Sequence, residues 1–181
     1  MTWNIDPSHT RVNFSVRHMM ISWVHGNFSE VNGIVDFDPE NPLASRVDVE
    51  IGAGSLNTGD AKRDGHLKSP DFLDVENYPV LIFKSKRIEV IDDNHGRLIG
   101  DLTVKDITRE VELDLEYAGM AKSPWGATSA GFTAITRLNR KDWNLNWNVA
   151  LETGGVLVGD TINTTIEIEI VKQPETVTAA A

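Results

Sequence analysis

Ile162-Asn163-Thr164-Thr165-Ile166-Glu167-Ile168-Glu169-Ile170 sets isoleucine at 162, 166, 168 and 170 against Asn163, Thr165, Glu167 and Glu169. Successive side chains of a strand point to opposite faces, so this period of two describes a strand with one apolar and one wet face. The outward carboxylates also hinder edge-to-edge pairing with another molecule. The same period recurs upstream. Val12, Phe14, Val16 and His18 alternate with Arg11, Asn13, Ser15 and Arg17. Val47, Val49, Ile51 and Ala53 alternate with Arg46, Asp48 and Glu50, and Val111, Leu113, Leu115 and Tyr117 with Glu110, Glu112, Asp114 and Glu116. Weaker runs occupy 27–37, 80–91, 97–105 and 128–138, which makes about eight strands.

Between the runs stand turn signals: Asp38-Pro39-Glu40-Asn41-Pro42, Asp92-Asp93-Asn94-His95-Gly96, Lys122-Ser123-Pro124-Trp125-Gly126 and Thr153-Gly154-Gly155. Most connections are short, so consecutive strands are expected to be antiparallel neighbours in an all-β fold. Such a series packs as a sandwich or closes into a barrel. Closure removes exposed edges, and eight strands enclose an interior wide enough for side chains or for one small ligand. Alternation alone leaves both open.

One segment breaks the pattern. Thr58-Gly59-Asp60 offers a helix cap, and Ala61 to Lys68 can make two turns before Pro70 ends them. Phe72, Leu73, Val75, Tyr78 and Pro79 then form an apolar loop of the length found in lids and binding loops. A helix that merely packs against one barrel end would read the same way.

The chain has 181 residues, enough for one domain with a substantial core, predicted over residues 1–172 with a disordered tail at 173–181. Its net charge of −10 and scattered Lys and Arg give no footprint for nucleic acid or for an anionic lipid surface. Without cysteine there are no disulfides, thiolate metal sites or thiol nucleophiles. No apolar run approaches the roughly 18 residues of a spanning helix. The start, Met1 to Pro7, lacks a basic region, an apolar stretch and a cleavage site, from which a cytoplasmic protein is expected.

Trp3-Asn4-Ile5-Asp6-Pro7-Ser8-His9-Thr10, Arg63-Asp64-Gly65-His66-Leu67-Lys68-Ser69-Pro70-Asp71-Phe72 with Tyr78-Pro79, Gly100-Asp101-Leu102-Thr103-Val104 and Gly159-Asp160, in this order, resemble the YceI-like family of polyisoprenoid- or lipid-binding, lipocalin-like proteins. The resemblance runs over nearly the whole chain. It implies an extended eight-stranded antiparallel β-barrel whose apolar pore holds a polyprenyl chain or another long amphiphile such as a quinone tail, and a homodimer. Two loops depart from the family pattern. Asn139-Arg140-Lys141-Asp142-Trp143-Asn144 stands where relatives commonly read Asn-Arg-Lys-Asp-Phe-Gly, and Asp106 stands where glycine is usual.

Candidate pore and lid residues are Val12, Phe14, Val16, His18, Val49, Ile51, His66, Phe72, Tyr78, Phe83, Leu102, Leu113, Phe132, Ile166 and Ile168. A solid core would use the same alternating set. No cofactor is expected, and no metal. His9, His18 and His25 lack helical spacing and a nearby carboxylate set. Ser8-His9-Thr10 is not expected to form a hydrolase centre, since neighbours on a strand diverge and no Gly-x-Ser-x-Gly elbow is present. Arg63 with Asp64, and Arg137 or Arg140 with Asp142, read first as structural ion pairs and second as groups that orient a ligand head group. The leading expectation is non-enzymatic binding, storage or transport of a polyisoprenoid-like lipid. The alternatives are an enzyme that uses a histidine on a hydrophobic substrate in the same pore, and a stress-related structural module with a solid interior.

Overall fold

A computed structural model describes residues 1–174. Of the expected disordered tail, residues 175–181 lie outside the described residues, whereas Gln173 bonds back to the first strand through Thr2 O and Asn4 Oδ1. The strands in chain order are β1 (Thr2–Ile5), β2 (Arg11–His18), β3 (Ser22–Phe28), β4 (Val31–Asp36), β5 (Arg46–Gly52), β6 (Leu56–Asn57), β7 (Val80–Val90), β8 (His95–Val104), β9 (Ile107–Lys122), β10 (Thr128–Asn139) and β11 (Thr161–Lys172), with helix α1 (Ala61–Lys68) between β6 and β7.

All pairings between these strands are antiparallel, and the ring β1-β4-β5-β7-β8-β9-β10-β11 closes where Ile5 meets Ile170. The fold is the expected eight-stranded barrel, built from eleven strands because three of its walls are broken. On one edge of β11, β1 covers residues 170–172 and β2 covers 163–167. Asp6 to Thr10 lets that wall bend between the two. The third and fourth strands form a second broken wall. The run 27–37, expected as one strand, divides because the amides of Ser29 and Glu30 donate to the Ser55 hydroxyl (3.2 and 3.1 Å) instead of to a ladder. Ser55 lies in the break between β5 and β6, which is the third.

The two ends of the barrel differ. At the end where β1 meets β4 and β11, the aromatic rings of Trp3, Phe37, Tyr117 and Phe132 pack with centroids 5.2 to 5.8 Å apart, and the Trp3 indole donates to Phe37 O at 3.0 Å. Large rings close this end with few residues.

At the other end β6 pairs only with β3, and β7 leaves β5 at Gly52 and Val80, so no ladder joins β6 to β7. The segment that breaks the strand pattern fills this gap. The Asp60 carboxylate accepts from Arg63 N at 3.0 Å, capping α1, and Ser69-Pro70 stops it. The loop then folds back: Leu73 and Val75 amides donate to the carbonyls of Leu67 and Lys68, both at 3.0 Å, and Pro79 O accepts from Ala53 N at 2.9 Å.

Candidate functional site

The inward positions do not meet at the barrel axis. They enclose an apolar cavity of about 870 Å³, so the interior is not solid. Cross-strand register orders its wall by depth: Phe132 faces Ile168, Ala134 faces Ile166, Thr136 faces Thr164, and Leu138 faces Ile162 nearest the mouth. Val12 lies beside Ile166, and Phe14 beside Thr164. Two glycines let large rings lie along the wall. A Cβ on Gly26 would stand 2.4 Å from Phe14, and one on Gly100 would stand 2.6 Å from Phe83.

Of the residues expected to form the pore, Val12, Phe14, Val16, His18, Val49, Ile51, His66, Phe72, Phe83, Leu102, Leu113, Ile166 and Ile168 line this cavity. Tyr78 and Phe132 do not. Phe132 points inward, but its ring belongs to the aromatic plug beneath the cavity, against Phe37 and Tyr117. Tyr78 is carried off by a turn at Asp74 (φ 48°), whose carbonyl accepts from both Asn77 N and Tyr78 N. Its ring lies 6.0 Å from the Lys105 ammonium instead.

The mouth has parts that strand periodicity did not identify. His66 of α1 packs edge-on against Trp147 (4.4 Å) and Phe72 (5.2 Å), and Phe72 reaches Trp147 at 5.5 Å. Trp143, Leu145, Trp147, Leu157 and Val158, from the loop between β10 and β11, also line the cavity. That loop is held by Arg140, which is only 3% exposed. Its Nε donates to Gly159 O (2.9 Å), Nη1 to the carbonyls of Leu145 and Trp147, and Nη2 to Val158 O (3.3 Å). Burial lowers the guanidinium pKa, against the pull of Asp160 at 3.9 Å.

The expected pairing with Asp142 is therefore corrected: Arg140 clasps carbonyls, and its carboxylate neighbour is Asp160. Arg63 and Asp64 do not pair with each other either. Both turn to Thr58, Arg63 Nε donating to its hydroxyl at 2.8 Å and Asp64 accepting from its amide at 2.9 Å.

Polar groups gather at the rim, where Arg17, His18, Asp60, Lys62, Arg63 and His66 surround the opening. Deeper in, the polar side chains are Thr136 and Thr164. The Asp71 carboxylate lies 2.8 Å from His66 Nε2.

A second cluster lies on the barrel's outside. Asp6, His9 and Glu169 bring their ligand atoms within 4.8 Å of one another, so the expectation that His9, His18 and His25 lack a nearby carboxylate set is corrected at His9. Distance in sequence hid Glu169. Ser8 also joins, because these residues form a turn and not a strand: its hydroxyl donates to Asp6 Oδ1 (2.6 Å) and sits 3.1 Å from His9 Nδ1. That same Nδ1 faces Asp6 Oδ2 at 2.9 Å. A relay needs the carboxylate on one ring nitrogen and the hydroxyl on the other, so the group is a hydrogen-bonded turn and not a triad.

Residues 3–170 match the sequence profile of the YceI-like domain. Protein YceI of Escherichia coli O157:H7 is 38% identical over 137 residues, 76% of this chain and 71% of that protein. A UPF0312 protein of Ectopseudomonas mendocina is 36% identical over 137 residues, 76% of this chain and 72% of that protein. Among solved structures, a mutant YceI protein of Campylobacter jejuni, crystallised with a monobromobimane guest, superposes with a TM-score of 0.75 at 32% identity, covering 87% of this chain and 90% of that one. A polyisoprenoid-binding domain from Saccharophagus degradans shares the fold at 11% identity (TM-score 0.68), covering 95% of this chain and 98% of that one.

Proposed function

Because the chain belongs to the YceI-like family, we propose that it is a non-enzymatic carrier or store for a long-chain amphiphile, a polyprenol or a lipid with an isoprenoid tail. The observation that carries this reading is the gradient along the cavity: apolar walls through its depth and charged or polar side chains around its opening. An amphiphile would lie with its chain inside and its head at the rim. Each methylene taken from water into such a wall contributes about 0.8 kcal/mol, so a tail needs few polar contacts. The volume, about 870 Å³, falls in the range of small-molecule sites. The Saccharophagus degradans domain, described as polyisoprenoid-binding, supports this class of ligand.

Solvent extraction of the purified protein followed by mass spectrometry is expected to release a lipid, and stripped protein is expected to take up added polyprenol or quinone. A protein that yields no lipid and refuses both would overturn the reading.

A second reading rests on His66 and Asp71, 2.8 Å apart at the mouth, where a histidine base could meet a substrate head group. Replacing His66 with Gln separates the two. A carrier keeps its affinity and shows no turnover before or after the change, whereas an enzyme loses turnover.

A further inference from the structure

We propose that the β2–β3 hairpin tip, with the loop it is zipped to, is a docking surface for a lipid bilayer placed beside the cavity mouth. The turn between β2 and β3 is Met19-Met20-Ile21, bracketed by the pair His18 and Ser22, with Ile21 N donating to His18 O at 3.2 Å. Both methionines have left-handed backbones (φ 51° and 64°). Left-handed positions favour Gly and Asn, and a large apolar side chain is strained there. The chain holds two large apolar side chains where the backbone asks for small or polar ones.

Those side chains do not fold inward. Met20 and Ile21 are 57% and 80% exposed, and Trp23, Val149 and Val156 beside them are exposed too. The hairpin joins the mouth loop directly: Met19 N donates to Leu157 O at 2.8 Å, and Gly155 leaves the space that the Met20 sulfur occupies. His18, Val24 and Leu157, at the base of the patch, line the cavity.

Charge selects the occupant, and here the fold gathers Arg17, His25 and Arg137, which the sequence scatters and from which no lipid surface was expected. In a chain with 27 carboxylate residues, residues 11–29 contain none, and the loop 143–159 contains only Glu152. On the outer wall beside the tip, Arg17, His25 and Arg137 border one groove with Asp160, and the Arg17 guanidinium lies 4.4 Å from the Trp23 ring centre. Apolar residues at a tip with tryptophan and cations behind them match the layers of a bilayer surface: hydrocarbon, interface, phosphate. The placement also deepens the proposed function, on which this part of the argument rests: a chain leaving the cavity here would enter lipid without crossing water.

The test is flotation of the full chain with phosphatidylcholine vesicles, with and without phosphatidylglycerol, compared with the M19N/M20G double variant. That variant suits the turn, so its thermal midpoint should hold or rise. Vesicle binding should fall by roughly tenfold or more, while uptake of geranylgeraniol in vesicle-free solution stays unchanged. Wild-type protein that fails to float, or a variant that floats equally well, overturns the proposal. So does a variant that only changes the sedimentation coefficient, because the tip would then join two copies of the chain. Vesicle binding without geranylgeraniol uptake supports the docking surface and sinks the carrier reading alone.

Discussion

At the residue scale, two polar clusters hold places where the barrel departs from a regular ladder. Asp6 is pushed down from 3.8 to about 2, first by the Ser8 hydroxyl and then by His9. His9 is raised above 6.5, first by its hydrogen bond to Asp6 and then by the charge of Glu169. The depressed Asp6 stabilises the turn fully above 3.8 and loses that contribution as pH falls toward 2. The raised His9 contributes fully below 6.5 and loses its contribution as pH rises through its folded value. Protection of the amides of residues 6–10, taken relative to the intrinsic exchange rate at each pH, should therefore be highest between pH 3.8 and 6.5. His9→Asn should abolish the alkaline limb, and an alkaline limb that survives would refute the assignment. Arg140 plays the same part at the mouth. Arg140→Met leaves buried carbonyls without a donor and should cost about 2–4 kcal/mol, measured as a lower denaturant midpoint. Lys at 140 should recover little, since an ammonium cannot reproduce the fork.

At the scale of elements, α1 stands where no ladder closes the wall, so its stability and the opening of the mouth are coupled. Asp60→Ala removes the cap and should loosen the first turn of α1, felt as faster release of bound geranylgeraniol more than as a lower melting point. Trp147→Ala should speed release as well, whereas Tyr78→Ala should leave it unchanged, because Tyr78 does not line the cavity. Equal effects of the two in stopped-flow release would contradict this division. The helix was legible because its signals are local: an acidic cap, two turns, a proline. The opposite side of the mouth was not. Trp143-Asn144-Leu145-Asn146-Trp147 carries a period of two, yet it belongs to a loop clasped by Arg140, and the pairing partners that a strand needs are elsewhere. The Asp6, His9 and Glu169 cluster was illegible for a related reason, since its third member arrives by strand pairing across nearly the whole chain.

At the scale of the whole molecule, a plug at one end and a lid at the other make the cavity a blind tunnel, with depth set by the plug. Period-two alternation assigned the inward faces well, but it cannot assign depth. That is why Phe132, correctly read as inward, is plug and not pore. Depth comes from register: Phe132 sits one inward step below Ala134, which lines the cavity opposite Ile166. If chain length is selected by this floor, Phe132→Ala should deepen the tunnel and Ala134→Phe should raise its floor. The first should cost about 3–5 kcal/mol by removing a large ring from the plug, so it must be assayed well below its melting temperature. In native mass spectrometry against a series of prenols, the longest chain retained should lengthen in the first variant and shorten in the second. A cutoff that moves in neither would place length selection at the mouth, with α1 and Trp147 and not the aromatic plug as the ruler.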